Sequence, residues 1–247
     1  MKTGMYSIVS EKAQIGEGVT IGDFVTIHDN VVIGDNSVIE SYCELGVASH
    51  LTEGQPLQIG KNAHIRSHSI FYAGSMFGDG LVTGHRVTVR EKTVAGKGFQ
   101  LGTLSDVQGH CEIGDYVKTH SNVHIGQQSK IGNYVWIFPY VVLTNDPHPP
   151  SNVLMGVTLE DFTVIATMSV ILPGTTVAQG CLVGAHSSLS GKTEADTIYA
   201  GSPAKCIGPT SKLKLKDGSR QPAYPWRRHF TRGYPQDVVE AWAKESY

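Results

Sequence analysis

The sequence lacks the features that usually place a protein in a membrane, outside the cell or on nucleic acid. No run of apolar residues approaches the roughly 20 that a transmembrane helix needs. The segment Met1–Tyr6 does not lead into the apolar core, about 7–15 residues long, of a secretory signal. With 20 basic and 22 acidic residues, the formal charge of −2 argues against a general nucleic-acid-binding surface. We therefore expect a cytoplasmic protein with no membrane span and no nucleic-acid partner.

Cysteine is also scarce, and no familiar catalytic motif is present. There is no CxxC pair, Walker loop, dinucleotide-binding fingerprint or Gly-x-Ser-x-Gly elbow. Cys43, Cys111 and Cys181 replace small residues of a repeat, so we interpret them as small buried side chains, and Cys206 stands apart. This pattern fits neither a disulfide framework nor a metal site, so we expect a reducing compartment and no metal.

What the sequence does contain is a six-residue repeat. It is clearest in Ile113–Lys118 (IGDYVK) and Ile131–Trp136 (IGNYVW), and it runs without a slip from Ile59 to His148. The same period holds from Ile15 to Leu45 and from Leu159 to Leu189. The first position is Ile, Leu or Val in 22 of 27 repeats, the second is often Gly, and the fifth is small or β-branched. This pattern predicts a short strand followed by a tight corner, where Gly and Asn supply left-handed backbone.

Three such hexads make one triangular turn, and strands this short must stack on neighbouring turns to bury a face. Over about residues 9–208 the chain resembles the hexapeptide-repeat acyltransferases, whose fold is a left-handed parallel β-helix. We therefore predict an all-β protein: a left-handed parallel β-helix of about nine triangular coils, with a basic C-terminal tail and one short α-helix.

Breaks in the period predict the loops and the domain boundary. Loops are expected at about residues 51–58 and 144–158, the second because Pro149 and Pro150 cannot donate ladder hydrogen bonds. The β-helix domain is expected to span residues 1–208, and its end, Ala200–Gly208, is similar to the terminal G-[NS]-P-A-K segment of the family.

Residues 209–247 are expected to form the tail. Eight Lys or Arg residues against one acid, Asp217, occur from Lys205 to Arg232. The segment Pro235–Ser246 predicts an amphipathic helix whose common face carries Val238, Val239 and Trp242.

The three corners of the triangle can be compared because equivalent corners recur every three hexads. One corner is regular throughout, from Gly60–Asn62 to Gly132–Tyr134, and we expect it to be structural. The other two carry histidine and arginine where glycine would fit, and the inward-facing Thr83 and Thr119 are polar departures beside one of them. Departures from an otherwise consistent pattern are the expected places for function.

The resemblance implies the chemistry. Members of the family transfer an acyl group from a CoA thioester to an amine or hydroxyl, at a site between neighbouring subunits of a homotrimer. The segments Thr83–Glu91, Thr119–His124 and Leu143–Pro150 most resemble the nucleotide-linked aminosugar N-acyltransferases. The implied reaction moves an acetyl or other short acyl group from acyl-CoA to the amine of a nucleotide sugar, in lipopolysaccharide, polysaccharide or other glycan precursor synthesis.

Several residues are candidates for this reaction. A base with a pKa near the working pH suits histidine, and we place His85 first, then His148 and His120, each with a packing or solvated role as the alternative. Substrate-binding candidates are Asn145, Asp146, Arg86 and Arg90, the arginines for a pyrophosphate. The resemblance places Ala166, Gly184, Ala185, Lys192 and Lys205 at the CoA-binding end.

Three other functions remain open at this stage. One is O-acylation of a sugar hydroxyl. Another is a γ-type carbonic anhydrase, which would use zinc on three histidines from among His85, His110, His120 and His124. Its spacing fits poorly, because the family's last two ligands are five residues apart whereas His120 and His124 are four apart. The third is a non-catalytic β-helical scaffold that binds neither CoA nor metal.

Overall fold

The computed structural model describes residues 2–245, and its main body is a solenoid of short parallel strands. The strands stack into three sheets that form the sides of a triangular prism, named here sheets A, B and C. The chain passes from A to B to C in every turn, so corners join A to B (edge AB), B to C (edge BC) and C to A (edge CA).

The strand bounds follow the hexads. Sheet A consists of Lys2–Thr3, Thr20–Ile21, Val38–Ile39, His64–Ile65, Val82–Thr83, Gln100–Leu101, Lys118–Thr119, Trp136–Ile137, Val164–Ile165, Leu182–Val183, Thr197–Gly201 and Ala204–Pro209. Sheet B consists of Ile8–Val9, Thr26–Ile27, Glu44–Val47, Ile70–Tyr72, Thr88–Val89, Asp106–Val107, His124–Ile125, Val142–Leu143, Val170–Ile171 and Ser188–Leu189. Sheet C consists of Gln14–Ile15, Val31–Ile33, Leu57–Ile59, Met76–Phe77, Val94–Ala95, Glu112–Ile113, Lys130–Ile131, Thr158–Leu159 and Thr176–Val177.

The prediction of about nine coils was wrong, because the solenoid has about eleven turns. Sheet A has twelve strands, and only the last, Ala204–Pro209, is antiparallel to its neighbour. The extra rungs lie at the two ends of the solenoid. There Lys2–Thr3 and Ile8–Val9 pair with the coil that follows them, and Thr197–Gly201 pairs with the coil that precedes it. Backbone pairing does not require the full hexad pattern by which the repeats were counted.

The interior of the prism is mainly apolar, with small buried Ser and Thr residues at some inward positions. First-position residues such as Ile65, Ile125 and Leu143, and fifth-position residues such as Val87, are fully buried. Cys43, Cys111 and Cys181 are buried and free, which confirms their interpretation as small core residues, and burial raises the pKa of Cys43 and of Cys111 to about 11.

Left-handed backbone occurs at the fourth hexad position, whatever its residue. On edge CA it is held by residues such as Asn62 (φ 57°) and Gly80 (φ 74°), as expected. On edge AB the same position carries Phe24, Tyr42 and His68 at φ 55–62°, and their rings stack at 5.0 and 4.8 Å. The corners therefore accept bulky residues, because stacking between turns supports the side chains.

The interruptions leave the solenoid at edge BC. The predicted loop at 51–58 is shorter in the structure, since Leu57 and Gln58 already belong to strand Leu57–Ile59. The second excursion leaves after Val142–Leu143 and returns at Thr158–Leu159. The division of the chain into domains at residue 208 stays a prediction.

The C-terminal segment folds back onto the solenoid. It contains 3-10 helices at Thr210–Lys212 and Trp226–Arg228 and an α-helix at Gln236–Ala243. The α-helix is shorter than predicted: Lys244 caps it, and Ser246 lies outside the described residues. Its predicted apolar face is confirmed, because Val238 and Trp242 are buried and Val239 is packed beside them. Within residues 2–245 no helix is long and apolar enough to cross a bilayer.

Candidate functional site

Edge CA gives the baseline against which the other edges can be judged. At each of several turns the backbone N–H of the third hexad residue donates to an Asp or Asn side chain of the next turn. These caps, 2.7–2.9 Å long, join Lys61 to Asp79, Lys97 to Asp115, Asp115 to Asn133 and Asn133 to Asp161. Side-chain caps of this kind join successive turns along the edge, as expected for a structural corner.

Sheet A departs from regular pairing at two buried threonines. The backbone N–H of Arg66 donates to the Thr83 hydroxyl (2.9 Å), and that of Gly102 donates to the Thr119 hydroxyl (3.0 Å). In neighbouring rungs the equivalent N–H donates to a backbone carbonyl instead. At both threonines the pairing of the two strands ends one residue early, at His64–Val82 and at Gln100–Lys118. The Thr83 carbonyl is thereby free to accept the Arg66 guanidinium. The Thr119 carbonyl accepts no backbone hydrogen bond within residues 2–245.

A notch lies on edge AB beside these threonines. Its ends are Arg66 and His120, second-position residues three turns apart, or about 14 Å by rung spacing. Gly84 and Gly102 occupy the same position in the turns between them, and a Cβ on Gly102 would lie 2.2 Å from the His120 carbonyl carbon. The notch has a volume of about 260 Å³, and its walls include Thr103 and Ser121.

His120 borders this notch and contacts an aromatic surface on its other side. Its ring stacks on Phe138 with centroids 4.8 Å apart, and Trp136 lies at 6.1 Å. His120 remains exposed, but partial desolvation lowers its pKa below the ordinary value of 6.5. The imidazole is therefore mainly neutral at pH 7 and can accept a proton.

His85 and Arg86 lie on the same edge, one turn after Arg66. The His85 Nδ1 is hydrogen-bonded to the Ser67 hydroxyl at 2.9 Å and lies 3.9 Å from the Glu40 carboxylate. The side chain is 52 % exposed, and Arg86 is exposed too. Both point away from the apolar interior and line none of the notch.

The remaining predicted substrate residues lie on edge BC, one sheet away. Arg90 binds both carboxylate oxygens of the buried Glu91, at 2.8 and 3.3 Å, and its guanidinium lies 5.7 Å from the Tyr72 ring centroid. Its charge is therefore matched within the same corner.

Asn145, Asp146 and His148 lie in the excursion that starts at edge BC. The Asp146 carboxylate accepts hydrogen bonds from the backbone N–H of His148 (3.0 Å) and from the hydroxyl and N–H of Ser151 (2.9 and 3.1 Å). Desolvation opposes ionisation, but these hydrogen bonds prevail and lower the pKa of Asp146. The Asn145 carbonyl accepts the Met155 N–H at 2.7 Å, and the His148 side chain is exposed. Asp146 therefore shapes the loop, whatever else it binds.

The residues predicted to bind CoA are divided between two places. Ala166, Gly184 and Ala185 continue edge AB beyond His120, so they share an edge with the notch. Lys192 follows the last corner of edge BC, and Lys205 lies exposed in the terminal antiparallel strand of sheet A.

Edge AB presents unused hydrogen-bond donors along this stretch. Among residues 2–245, the backbone N–H groups of its third hexad position find no protein acceptor at Thr103, Ser121, Thr167 and Ala185. These residues are half-buried or exposed, so a ligand could reach their N–H groups. In the earlier turns of edge AB the equivalent N–H groups of Ser67 and His85 are capped by the Glu40 carboxylate and the Thr103 hydroxyl.

No ready-formed metal centre is present in the described part of the chain, which contains no group of three metal-ligating side chains. His124 binds Asp106 at 3.0 Å on the outer face of sheet B, whereas His85 and His120 lie on edge AB. Two larger hollows lie on the outer faces of sheets C and B, and the former is crossed by the Lys130–Glu112 ion pair.

Inspection of the sequence did not single out Arg66 or the aromatic surface beside His120. The signal for Arg66 was present: the second position of edge AB reads Arg66, Gly84, Gly102, His120, which is a gap bounded by two long side chains. Nothing in the repeat indicated that the C-terminal segment would contact Trp136 and Phe138, because that contact joins residues far apart in the chain.

Comparisons with known proteins agree with this architecture. The bacterial transferase hexapeptide (six repeats) model matches residues 12–46. No sequence match was found among curated proteins. Among solved structures, the chain is similar to Arabidopsis UDP-N-acetylglucosamine acyltransferase, with 16% identity, 82% of this chain and 72% of that chain covered, and a TM-score of 0.50. It is also similar to LpxA from Acinetobacter baumannii, with 15% identity, coverages of 100% and 86%, and a TM-score of 0.51. The chain therefore has the left-handed β-helix fold of these two structures, and its residues 12–46 match the hexapeptide-repeat model.

Proposed function

We propose that the protein is a CoA-dependent acyltransferase that moves an acetyl or other short acyl group to the amine of a nucleotide-linked aminosugar. The observation that carries the proposal is the position of His120, a mainly neutral histidine at the end of a polar notch on edge AB. Unused backbone N–H donors continue along the same edge. A base, a polar recess and a row of donors are what acyl transfer to a neutral amine requires.

In the proposed reaction, the acceptor amine occupies the notch and its lone pair attacks the thioester carbon. His120 takes the proton that the amine loses, the C–S bond breaks, and the proton passes to the leaving CoA thiolate. The free N–H of Ser121, one residue beyond the base, is placed to stabilise negative charge on the thioester oxygen. His85 and His148, the other two predicted bases, lie outside the notch and serve here as comparisons.

Charge on edge AB suits a nucleotide sugar. Arg66 borders the notch, and Arg86 is exposed one turn away, so both are placed to meet a pyrophosphate. Arg90, Asn145 and Asp146 lie on edge BC and would contact the acceptor only if a neighbouring subunit brings that edge to the notch. The proposal therefore includes the homotrimer, whose subunit boundary would complete the site.

The acyl-CoA is proposed to lie along the last turns of edge AB. The N–H groups of Thr167 and Ala185 would bind the carbonyl groups of its pantetheine arm, and Ala166 and Gly184 leave room for that arm. Lys192 and Lys205 would contact the CoA phosphates. The location is proposed to be cytoplasmic, and the product to be a precursor of a cell-surface polysaccharide or glycan.

One comparison favours a second acceptor. The similar Arabidopsis structure is a UDP-N-acetylglucosamine acyltransferase. This similarity supports a nucleotide sugar as the acceptor of the present protein. Acylation of a sugar hydroxyl in the same notch is therefore the alternative, and the two products differ in stability because hydroxylamine cleaves an ester and leaves an amide intact.

The test is to follow free thiol while the protein is incubated with acyl-CoA and a panel of nucleotide aminosugars. We expect His120→Asn to lower kcat/KM by about 100-fold, the range of a lost general base. His28→Asn, near the other end of the solenoid and three turns before Arg90, is the matched control and should be without effect. If His85→Asn abolished thiol release and His120→Asn did not, the assignment of His120 as the base would be wrong. No thiol release with any acceptor would refute the proposed activity.

A further inference from the structure

A small aromatic box lies between the solenoid and the C-terminal segment. Trp136, Phe138 and Val164 form one side of it, and Tyr224, Trp226 and Phe230 form the other. Its volume is about 170 Å³, and no charged side chain lines it. Of the two indole N–H groups at its walls, that of Trp136 already donates to the Tyr234 hydroxyl at 2.8 Å, and that of Trp226 is shielded from solvent.

The box and the notch lie on opposite sides of His120. Phe138 forms a wall of the box and also carries the stacked His120 ring, with centroids 4.8 Å apart. Trp136, at 6.1 Å from His120, lines the box as well. A group held in the box would therefore contact the two rings that pack against the base, and would lie across them from the polar recess where the acceptor is placed.

We infer that the box binds the acyl group of the acyl-CoA and makes the protein prefer an acyl chain of about six carbons, or an aromatic ring, over acetyl. This inference rests on the proposed acyltransferase function. An apolar protein cavity of about 150 Å³ accepts benzene, so a cavity of 170 Å³ has room for a group of that size. An acetyl methyl would leave most of the box empty and would gain little from it.

The lining disfavours the other group that could stack among aromatic rings, a nucleobase. A base carries several donors and acceptors on its edge, and each that loses water without a partner opposes binding. Apart from the Trp136 N–H, which already donates to Tyr234, the lining side chains carry only two such groups. These are the hydroxyl of Tyr224, whose pKa burial raises to about 12, and the indole N–H of Trp226, which has no partner within residues 2–245. An alkyl or phenyl group makes no such demand.

The experiment measures binding of CoA, acetyl-CoA, hexanoyl-CoA and benzoyl-CoA to the full chain by calorimetry. We expect hexanoyl-CoA to bind at least about 10-fold more tightly than acetyl-CoA, and up to about 200-fold if all four added methylene groups are fully buried. Val164→Phe should fill the box and remove this difference, and the smaller Val164→Leu should reduce it.

Val170→Phe is the matched control. Val170 holds the same hexad position in the same turn, but on sheet B, and it does not line the box. It should leave the preference for hexanoyl-CoA intact, and light scattering should give one mass for all variants.

The outcomes separate this inference from the function on which it rests. Equal affinity for acetyl-CoA and hexanoyl-CoA, or a preference that survives Val164→Phe, would overturn it. If Val164→Phe lost binding of UDP or dTDP and kept its acyl preference, the box would hold a nucleobase. That result would also overturn the inference. A hexanoyl preference that Val164→Phe abolishes, without transfer to any acceptor, would support the box and refute the acyltransferase.

Discussion

Two threonine hydroxyls change the hydrogen bonding of sheet A where the candidate site lies. Thr83 and Thr119 stand where most turns have Ile, Leu or Val, and each hydroxyl accepts a backbone N–H in place of a carbonyl. A methyl group could not do this, so the same position filled by valine would restore the regular ladder. The Thr83 carbonyl is thereby available to the Arg66 guanidinium, and the Thr119 carbonyl accepts no backbone hydrogen bond within residues 2–245.

His120 should control the acid limb of the pH profile. Partial desolvation lowers its pKa below 6.5, so the neutral, proton-accepting form persists to lower pH than for a free histidine. As pH falls through this lowered pKa, the base becomes protonated and kcat/KM should decline. We expect the midpoint of this decline below pH 6.5, and we expect it to vanish in His120→Asn.

The measurement is kcat/KM for the acceptor against pH with saturating acyl-CoA, which reports the essential base of the enzyme–acyl-CoA complex. A midpoint above pH 6.5, or an unchanged midpoint in His120→Asn, would show that another group is titrating.

At the scale of elements, the C-terminal segment is held to the solenoid by aromatic contacts. The rings of Tyr116, Tyr134 and Phe162 stack along edge CA at 5.7 and 5.0 Å. Trp242 meets Tyr134 edge-on at 5.1 Å, and Lys118 reaches into the same cluster, where its Nζ donates to the Gly233 carbonyl at 3.1 Å. A segment fixed in this way can complete the aromatic box beside His120.

Trp242→Ala should release this segment while the solenoid stays folded. Trp242 is 6 % exposed and contacts several rings, and truncating a buried tryptophan costs about 3–5 kcal/mol. Because the cost falls on one docked element, we expect local opening and not global unfolding. Limited trypsin digestion should cleave between residues 212 and 232 much faster, with the solenoid's melting temperature nearly unchanged.

Leu213→Ala is the control for this experiment, since Leu213 belongs to the same segment, is 37 % exposed and lies outside the aromatic cluster. Equal trypsin sensitivity of the two variants would argue against the aromatic contacts as the anchor.

At the scale of the whole molecule, stability follows from stacking of successive turns. Each rung contacts the rung before and the rung after it, so a central rung has two partners and a terminal rung has one. Ile125 illustrates the first case, because its strand pairs with those of Val107 and Leu143. Val9 illustrates the second, because it pairs only with Ile27.

Truncating these two residues should therefore have unequal effects. Ile125 is fully buried, and Ile125→Ala should lower the free energy of unfolding by about 2–5 kcal/mol. Val9→Ala, in a half-buried terminal rung, should cost roughly 1 kcal/mol or less. Denaturant unfolding of both variants tests this, and similar losses would contradict stacking as the main source of stability.

The sequence by itself determined the solenoid, its apolar interior and the regular edge CA, because hexad period and local corner residues are short-range properties that the letters record directly. It also marked Thr83, Thr119 and His120 as departures from the pattern. It missed the outermost turns, since backbone pairing at the ends of a ladder depends weakly on side chains.

Only the tertiary structure decided which departures meet. It placed Arg66 and His120 at the two ends of one notch, put Asn145 and Asp146 on a different edge, and brought Trp226 and Phe230 against Phe138. The relation between Arg66 and His120 depends on how successive turns stack in space. The contact of Trp226 and Phe230 with Phe138 joins positions about ninety residues apart. Such contacts are fixed by packing and by loop closure over long separations, for which a local repeat carries no record.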